Sequence, residues 1–346
     1  MDVACINVVL VEDEGANIKA WQDHAAMHNA DVQNTGFKVI TIVAKSAAEA
    51  RHALVENRAD AVVVDLRLRT EGNAAPNDHG NDVVRYAHSA HPVAIAVYTG
   101  QRQEAEVEAF PQVEVFDRGA GLVPVFEWLG KQRGMLEHLK ELRNSIEAET
   151  AKVFFSSVWP RWSGWTAQRG PAIKPMLFRH VIAHIHDNLM NANGGVSHPE
   201  ETYFVPPIKG RFDTGDIVRD GQGLWVVVTP RCDLATDGKV SLVLLAEFQD
   251  ISTRWRGANA KERTKISQHG GSHKNHFLPE MVDSAGNGMG PWFVDFTSLR
   301  VVPIDGDQGL KAMNRVASLT PQFVPSLVER FGAYFSRIGT PVVSQD

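Results

Sequence analysis

"VVVDLRLRTEGNAAPNDHG", residues 62–80, begins as an unbroken apolar run, stops on Asp65 and continues as a long polar loop. Nothing alternates across Val62, Val63 and Val64, so they read as a strand buried on both faces. A carboxylate placed just beyond such a strand is costly unless a partner neutralises it. Asp65 is therefore the first residue to ask about.

The same kind of run recurs on either side. "INVVLVED" (6–13) and "FKVITIVA" (37–44) precede it, and "PVAIAVYTG" (92–100) and "VEVFDRG" (113–119) follow. Helix-like stretches separate them at 15–29, at "SAAEARHALVEN" (46–57) and at "GNDVVRYAHSA" (80–90). Ser46 and Glu49 have the spacing of a capping box. Strands alternating with helices imply crossover units and a flavodoxin-like, doubly wound parallel sheet. In that architecture ligands sit beyond the carboxyl ends of the strands. Those ends carry Glu12 and Asp13, Asp65, Thr99, and the pair Asp117–Arg118. Three carboxylates converging on one rim repel unless a cation sits among them, and oxygen ligands with room for water suit Mg²⁺.

This pattern resembles the receiver domain of bacterial response regulators, over residues 1 to about 130. The resemblance implies that Glu12, Asp13 and Asp65 hold Mg²⁺ and that Asp65 is the phosphoacceptor. It also makes Thr99 the switch hydroxyl. Arg118 stands where the family has a lysine, which keeps the charge and changes the reach. The family's proline shortly after the phosphoacceptor is absent, and the loop over 66–79 is longer than usual. The phosphoryl source implied is a histidine kinase or a small phosphodonor. The rival reading is a degenerate receiver kept as an adaptor.

Residues 1–130 carry 19 acidic and 10 basic side chains, net −9, whereas the remainder is net +3. Such a split predicts two modules with different partners, and +3 is too weak a balance to argue for nucleic acid. Cys5 and Cys232 lie far apart and imply no disulfide framework. With no leader-like segment and no apolar stretch of spanning length, the expectation is a cytoplasmic protein without membrane contact.

Residues 131–160 read as a connecting helix that extends the last helix of the first module. Met135, Leu139, Leu142, Ile146 and Val153 approach coiled-coil spacing, which predicts a homodimer seam over 135–153. Glu137, Lys140, Glu141, Arg143, Glu147 and Glu149 read as its solvated face, Gly134 as a candidate kink and Pro160 as its end.

Residues 161–346 read as an α+β output domain containing a small β-barrel. Runs at 212–236, 239–248 and 290–303 are of β type. The "TGDIV…WVVVTP" pattern is similar to the opening strands of SH3-like barrels of the PemK type. Arg231, Asp233 and His276, at the ends of apolar runs, are the candidate ligand groove of this domain, for an unidentified downstream protein or ligand. Cys232 beside Asp233 reads as a buried, inert thiol, since a neighbouring anion raises its pKa. His180 and His184 share a helix face, and a third zinc ligand from His269, His273 or His276 would make a phospho-regulated hydrolase or nuclease. No glutamate stands between those two histidines to act as a base. The basic segment 254–274 reads as an exposed loop, and 318–339 as an amphipathic helix packed on the barrel. The absence of helix-turn-helix or zinc-finger spacing argues against a transcription factor.

Overall fold

The computed structural model describes residues 3–68, 79–169, 173–192, 197–269 and 272–337, so most of the loop expected over 66–79 lies outside the described residues. The chain divides into two compact units, Met1–Leu189 and Met190–Asp346.

The first unit holds strands β1 (Ala4–Val11), β2 (Phe37–Ala44), β3 (Ala61–Val64), β4 (Ala94–Thr99) and β5 (Glu114–Asp117). They pair in parallel in the order β2-β1-β3-β4-β5, a doubly wound sheet of the flavodoxin-like strand order. Helices α1 (Gly15–Ala30) and α5 (Val123–Val153) cover one face. On the other lie α3 (Ala47–Glu56) and α4 (His79–Ala90), while α2 (Val32–Thr35) is a single turn before β2. Val62 and Val64 point into the α3–α4 layer and Val63 into the α1–α5 layer. Two apolar layers therefore account for a strand without alternation. Ser46 caps α3 by accepting from the Glu49 N–H, and the Glu49 carboxylate accepts from the Lys45 N–H. Two 3₁₀ turns, Arg102–Glu104 and Val107–Ala109, link β4 to β5.

Helix α5 is continuous through Gly134 and longer than the domain it belongs to requires. Its inward residues Phe126, Leu129 and Leu136 are core, and Leu139 packs beside them. Two members of its charged face turn inward and are only partly exposed. Lys140 and Arg143 reach the carboxylate of Asp60, which is fully buried just before β3, at 2.7 and 3.0 Å. Asp60 also accepts from the Asn7 N–H, and Arg143 donates to the Ala59 carbonyl. The expectation of a solvated face fails here because residues adjacent on the helix meet a charge far away in sequence.

The helix does not run to Pro160. It widens into a π turn over Phe154–Val158, passes through a 3₁₀ turn at Trp159–Arg161 and resumes as α6 (Trp162–Arg169). Proline lacks the N–H that a regular helix would need at that point. Helix α7 (Ile173–Ala192) packs Leu177, Val181 and Ile185 against Val153, Val158 and Trp165. Of the expected seam, Val153 is thus buried within this chain, and Met135, Leu142 and Ile146 remain exposed.

The second unit is a half-barrel-like antiparallel sheet in the order β10-β13-β9-β8-β7-β14-β6. Its strands are β6 (Tyr203–Phe204), β7 (Asp216–Asp220), β8 (Gly223–Val227), β9 (Leu242–Asp250), β10 (Asn275–Leu278), β13 (Trp292–Pro303) and β14 (Asn314–Leu319). A separate ribbon joins β11 (Met281–Val282) to β12 (Gly288–Met289). The register of β13 against β9 shifts between Asp295 and Leu299, a bulge that bends the long strand. Val226 and Ala246 face one core while Val227 and Leu245 face another, so both sides of the sheet are covered.

Helix α8 (Arg231–Leu234) is one turn after β8. The basic segment expected as a loop holds two helices instead, α9 (Ser252–Gly257) and α10 (Ala260–Ser267), the second started by a capping box between Asn259 and Glu262. The last helix, α11 (Val324–Phe335), is shorter than the 318–339 expected, because residues 318 and 319 belong to β14. Residues 338 and 339 lie outside the described residues. Leu327, Phe331 and Tyr334 of α11 pack on the sheet as its amphipathic pattern requires.

The clamp on Asp60 has a measurable asymmetry. Asp60→Ala should cost about 3 kcal/mol in urea unfolding, because Lys140 and Arg143 are partly exposed and can regain water. Replacing Lys140 and Arg143 together with alanine should cost more, since it leaves an uncompensated charge in the sheet.

Candidate functional site

The carboxyl ends of β1 and β3 are joined edge to edge: the Asp65 N–H donates to the Val11 carbonyl at 2.9 Å, and the Glu12 N–H to that of Ala44 at 3.0 Å. Glu12 and Asp65 are therefore held at adjacent strand ends, both buried, with Asp13 half-buried beside them. One oxygen from each of the three carboxylates lies within 4.8 Å of the others, and among the described residues no other group of acidic, histidine or cysteine side chains is so arranged.

Arg118, following β5, enters this cluster. Its Nη2 lies 2.6 Å from Glu12 Oε2 and 3.2 Å from Asp65 Oδ2, and its guanidinium stands 5.5 Å from the Tyr98 ring centre. Thr99, at the end of β4, is buried and lines the same cavity as Asp65 and Arg67. Burial pushes the Asp65 carboxyl above the usual aspartate range, opposed first by the Arg118 charge and then by the nearby donors of Arg67 and Thr99. Burial raises Glu12 as well. The Glu14 N–H, Arg118 and Asn17 counter it, while the Asp65 charge adds to it.

These residues surround a cavity of about 410 Å³ open to solvent. Gly80, the second residue of α4, packs against the backbone of Asp65 and Leu66. A Cβ there would come within 2.4 Å of Leu66 Cα and 2.5 Å of the Asp65 carbonyl oxygen, so only glycine lets α4 approach the strand end. Glu12, Asp13, Asp65, Thr99 and Arg118, all singled out from sequence, are brought together. Asn17, Tyr98 and Gln101 join them unforeseen, although each lies within five residues of a strand end already identified. Asp117 turns away and caps the following turn through the Gly119 N–H.

The donors fit a hard cation such as Mg²⁺ in kind, being carboxylate oxygens around a polar cavity. Arg118 already supplies one positive charge among them, so the resting cluster is not three bare anions.

The candidate residues of the second unit do not converge. Arg231 binds the buried Asp213 at 3.0 Å, and Asp233 pairs with Lys239 at 2.7 Å. His276 is buried on β10 and stacked 4.8 Å from His269. Burial, with His269 and Arg330 nearby, holds its pKa down to about 3, and burial holds His269 at about 4. Cys232, expected to be buried, is exposed on the single turn of α8 and directs its thiol to Asp233. In the first unit, His180 and His184 touch at 4.5 Å, but His180 Nε2 is taken up by Ser157 and Arg161, each at 2.9 Å. Burial, His184 and Arg161 all disfavour its charged form.

No family model matches the sequence, and no curated protein does. Among solved structures, the chain is similar to a signal receiver domain from Vibrio parahaemolyticus at 18% identity and a TM-score of 0.25, covering 39% of this chain and 97% of that one. It is also similar to a response regulator receiver domain protein from Clostridium thermocellum at 17% identity and a TM-score of 0.27, covering 40% and 98%.

Proposed function

We propose that residues 1–130 of the first unit form a phosphorylation-responsive receiver, that Asp65 accepts the phosphoryl group, and that the receiver controls the second unit as its output domain. The observation that carries this reading is the placement of Asp65: a buried carboxylate on an open polar cavity, with the Arg118 guanidinium at 3.2 Å and the Thr99 hydroxyl lining the same space.

Phosphoryl transfer needs little covalent chemistry from the protein and much positioning and charge neutralisation. Asp65 attacks the phosphorus of the donor, the bond from phosphorus to the leaving oxygen breaks, and its electron pair departs with acetate or with the kinase histidine. Thr99 and Arg118 then donate to the oxygens of the new acyl phosphate. Mg²⁺, held by Glu12, Asp13 and Asp65, would supply neutralisation of the charge on the phosphoryl oxygens. Arg118 is shared between Glu12 and Asp65 before the reaction, so its transfer to the phosphoryl group would release Glu12 and alter the cluster. Self-association is assigned to the outward residues Met135, Leu142 and Ile146 of α5.

Acetyl phosphate with Mg²⁺ should add one phosphoryl mass to the protein, and Asp65→Asn should abolish the adduct. That variant should melt no lower than the wild type at neutral pH, because it removes a charge whose burial is unfavourable. An adduct that persists in Asp65→Asn places the acceptor elsewhere.

The pH dependence has a defined sign. The attacking form of Asp65 is the anion, and burial raises its pKa, so labelling should fall on acidification earlier than for an exposed aspartate. Arg118 opposes that rise, and Arg118→Gln should move the fall to still higher pH, read as initial labelling rates between about pH 4 and 8.

Sedimentation should show a concentration-dependent dimer. Leu142→Lys combined with Ile146→Lys should give folded monomers, and a wild type monomeric at high concentration would exclude the face.

A further inference from the structure

We propose that the second unit binds a small amphipathic monoanion, an apolar body with a single carboxylate head, in a cavity between α11 and the ends of β8 and β9. The cavity measures about 390 Å³, within the range of small-molecule sites. Val228, Leu244, Val324, Val328 and Phe331 form its walls. Two hydroxyls reach it, and both have protein partners: Thr214 donates to the Thr229 carbonyl, and Thr229 accepts from the Leu244 N–H. The chamber thus offers an apolar lining and no row of donors that a nucleotide base or a sugar would need.

Charge is supplied at one rim. Arg231 lines the cavity and holds Asp213, a buried carboxylate that Arg211 and Lys209 also approach, at 3.6 and 3.8 Å. Asp216, the neighbouring buried carboxylate, is taken by Arg315 at 3.2 Å and by the Ser318 hydroxyl. Arg315 also donates to the carbonyls of Lys209 and Arg211 and stacks on Phe212, which pins the loop carrying both cations. Four cations meet two carboxylates here, and Asp233 adds nothing because Lys239 neutralises it. Lys209, Arg211 and Arg231 remain about half exposed, so the surplus positive charge faces solvent beside the cavity. An anionic head matches that rim and an apolar tail matches the chamber.

Gly332 gives a way to block the chamber. It lies inside α11, where glycine weakens a helix relative to alanine, and a Cβ there would meet no atom within 4 Å. Packing of the protein itself does not demand glycine at this point. Gly332 is exposed and lines the cavity, so a larger side chain at this position can enter it without meeting the protein.

The test uses the full chain with the fluorescent anion 1-anilinonaphthalene-8-sulfonate, competed by octanoate or by octan-1-ol as the uncharged control. Saturable fluorescence should be displaced by octanoate roughly tenfold more effectively than by octan-1-ol, the ratio expected from one charge-assisted contact. Arg231→Gln should erase that preference while leaving octan-1-ol competition unchanged. Gly332→Leu should fill the chamber and abolish saturable binding, with an unfolding midpoint no lower than the wild type. Equal competition by octan-1-ol in the wild type would overturn the anionic head. Saturable fluorescence that survives Gly332→Leu would overturn the cavity. Should that variant melt early, Arg231→Gln, which leaves Arg211 and Lys209 beside the buried Asp213, decides alone.

Discussion

Strands β1 and β3 lie between two apolar layers, and this single condition governs where charge can sit in the first unit. No carboxylate can be accommodated along their length, so every acidic group is driven to a strand end. At the carboxyl ends the result is the cluster of Glu12, Asp13 and Asp65, and at the amino end it is Asp60. Each end is then closed by an arginine arriving from elsewhere in the chain, Arg118 at one and Arg143 at the other. The two ends differ in one respect. Asp60 is sealed by two cations and the backbone, whereas Asp65 opens on a solvent-filled cavity. Sealed charge serves architecture, and charge left facing a cavity is available for chemistry.

Much of this was legible before any coordinates. The parallel sheet follows from apolar runs that do not alternate, and the rim residues follow from reading what each run stops on. The Asp60 clamp was not legible, for a physical reason. Periodicity describes a helix relative to itself, so Lys140 and Arg143 looked like any polar pair on a solvated face. Their partner lies some eighty residues earlier, in what reads as a turn. The same limit applies to Arg118, whose position was identified but whose sharing between two carboxylates depends on how β5 meets β1 and β3 in space.

The second unit shows the complementary failure. Its strands were recognisable, since both faces of β8 and β9 are covered and the runs are almost wholly apolar. Grouping Arg231, Asp233 and His276 by their positions at run ends did not work, because an antiparallel sheet sends consecutive run ends to opposite edges. Composition misled at 254–274 in another way. The density of basic residues suggested a loop, although Asn259 and Glu262 carried the local signal of a helix start. A charged helix is held by its caps and by the few side chains it buries, here Ile266 and Trp255, so average polarity says little about it.

Helix α5 runs for 31 residues, about 46 Å of nearly inextensible rod. Lys140 and Arg143 grip it partway along, roughly 15 Å before its end at Val153. Mechanically that is a lever with its fulcrum on the underside of the sheet that carries Asp65 on its upper rim. A slight rotation of the rod about Asp60 becomes a lateral displacement at its tip, where Val153 engages Ile185 of α7. Stiffness, not contact, is what such a rod transmits, and its length sets the gain.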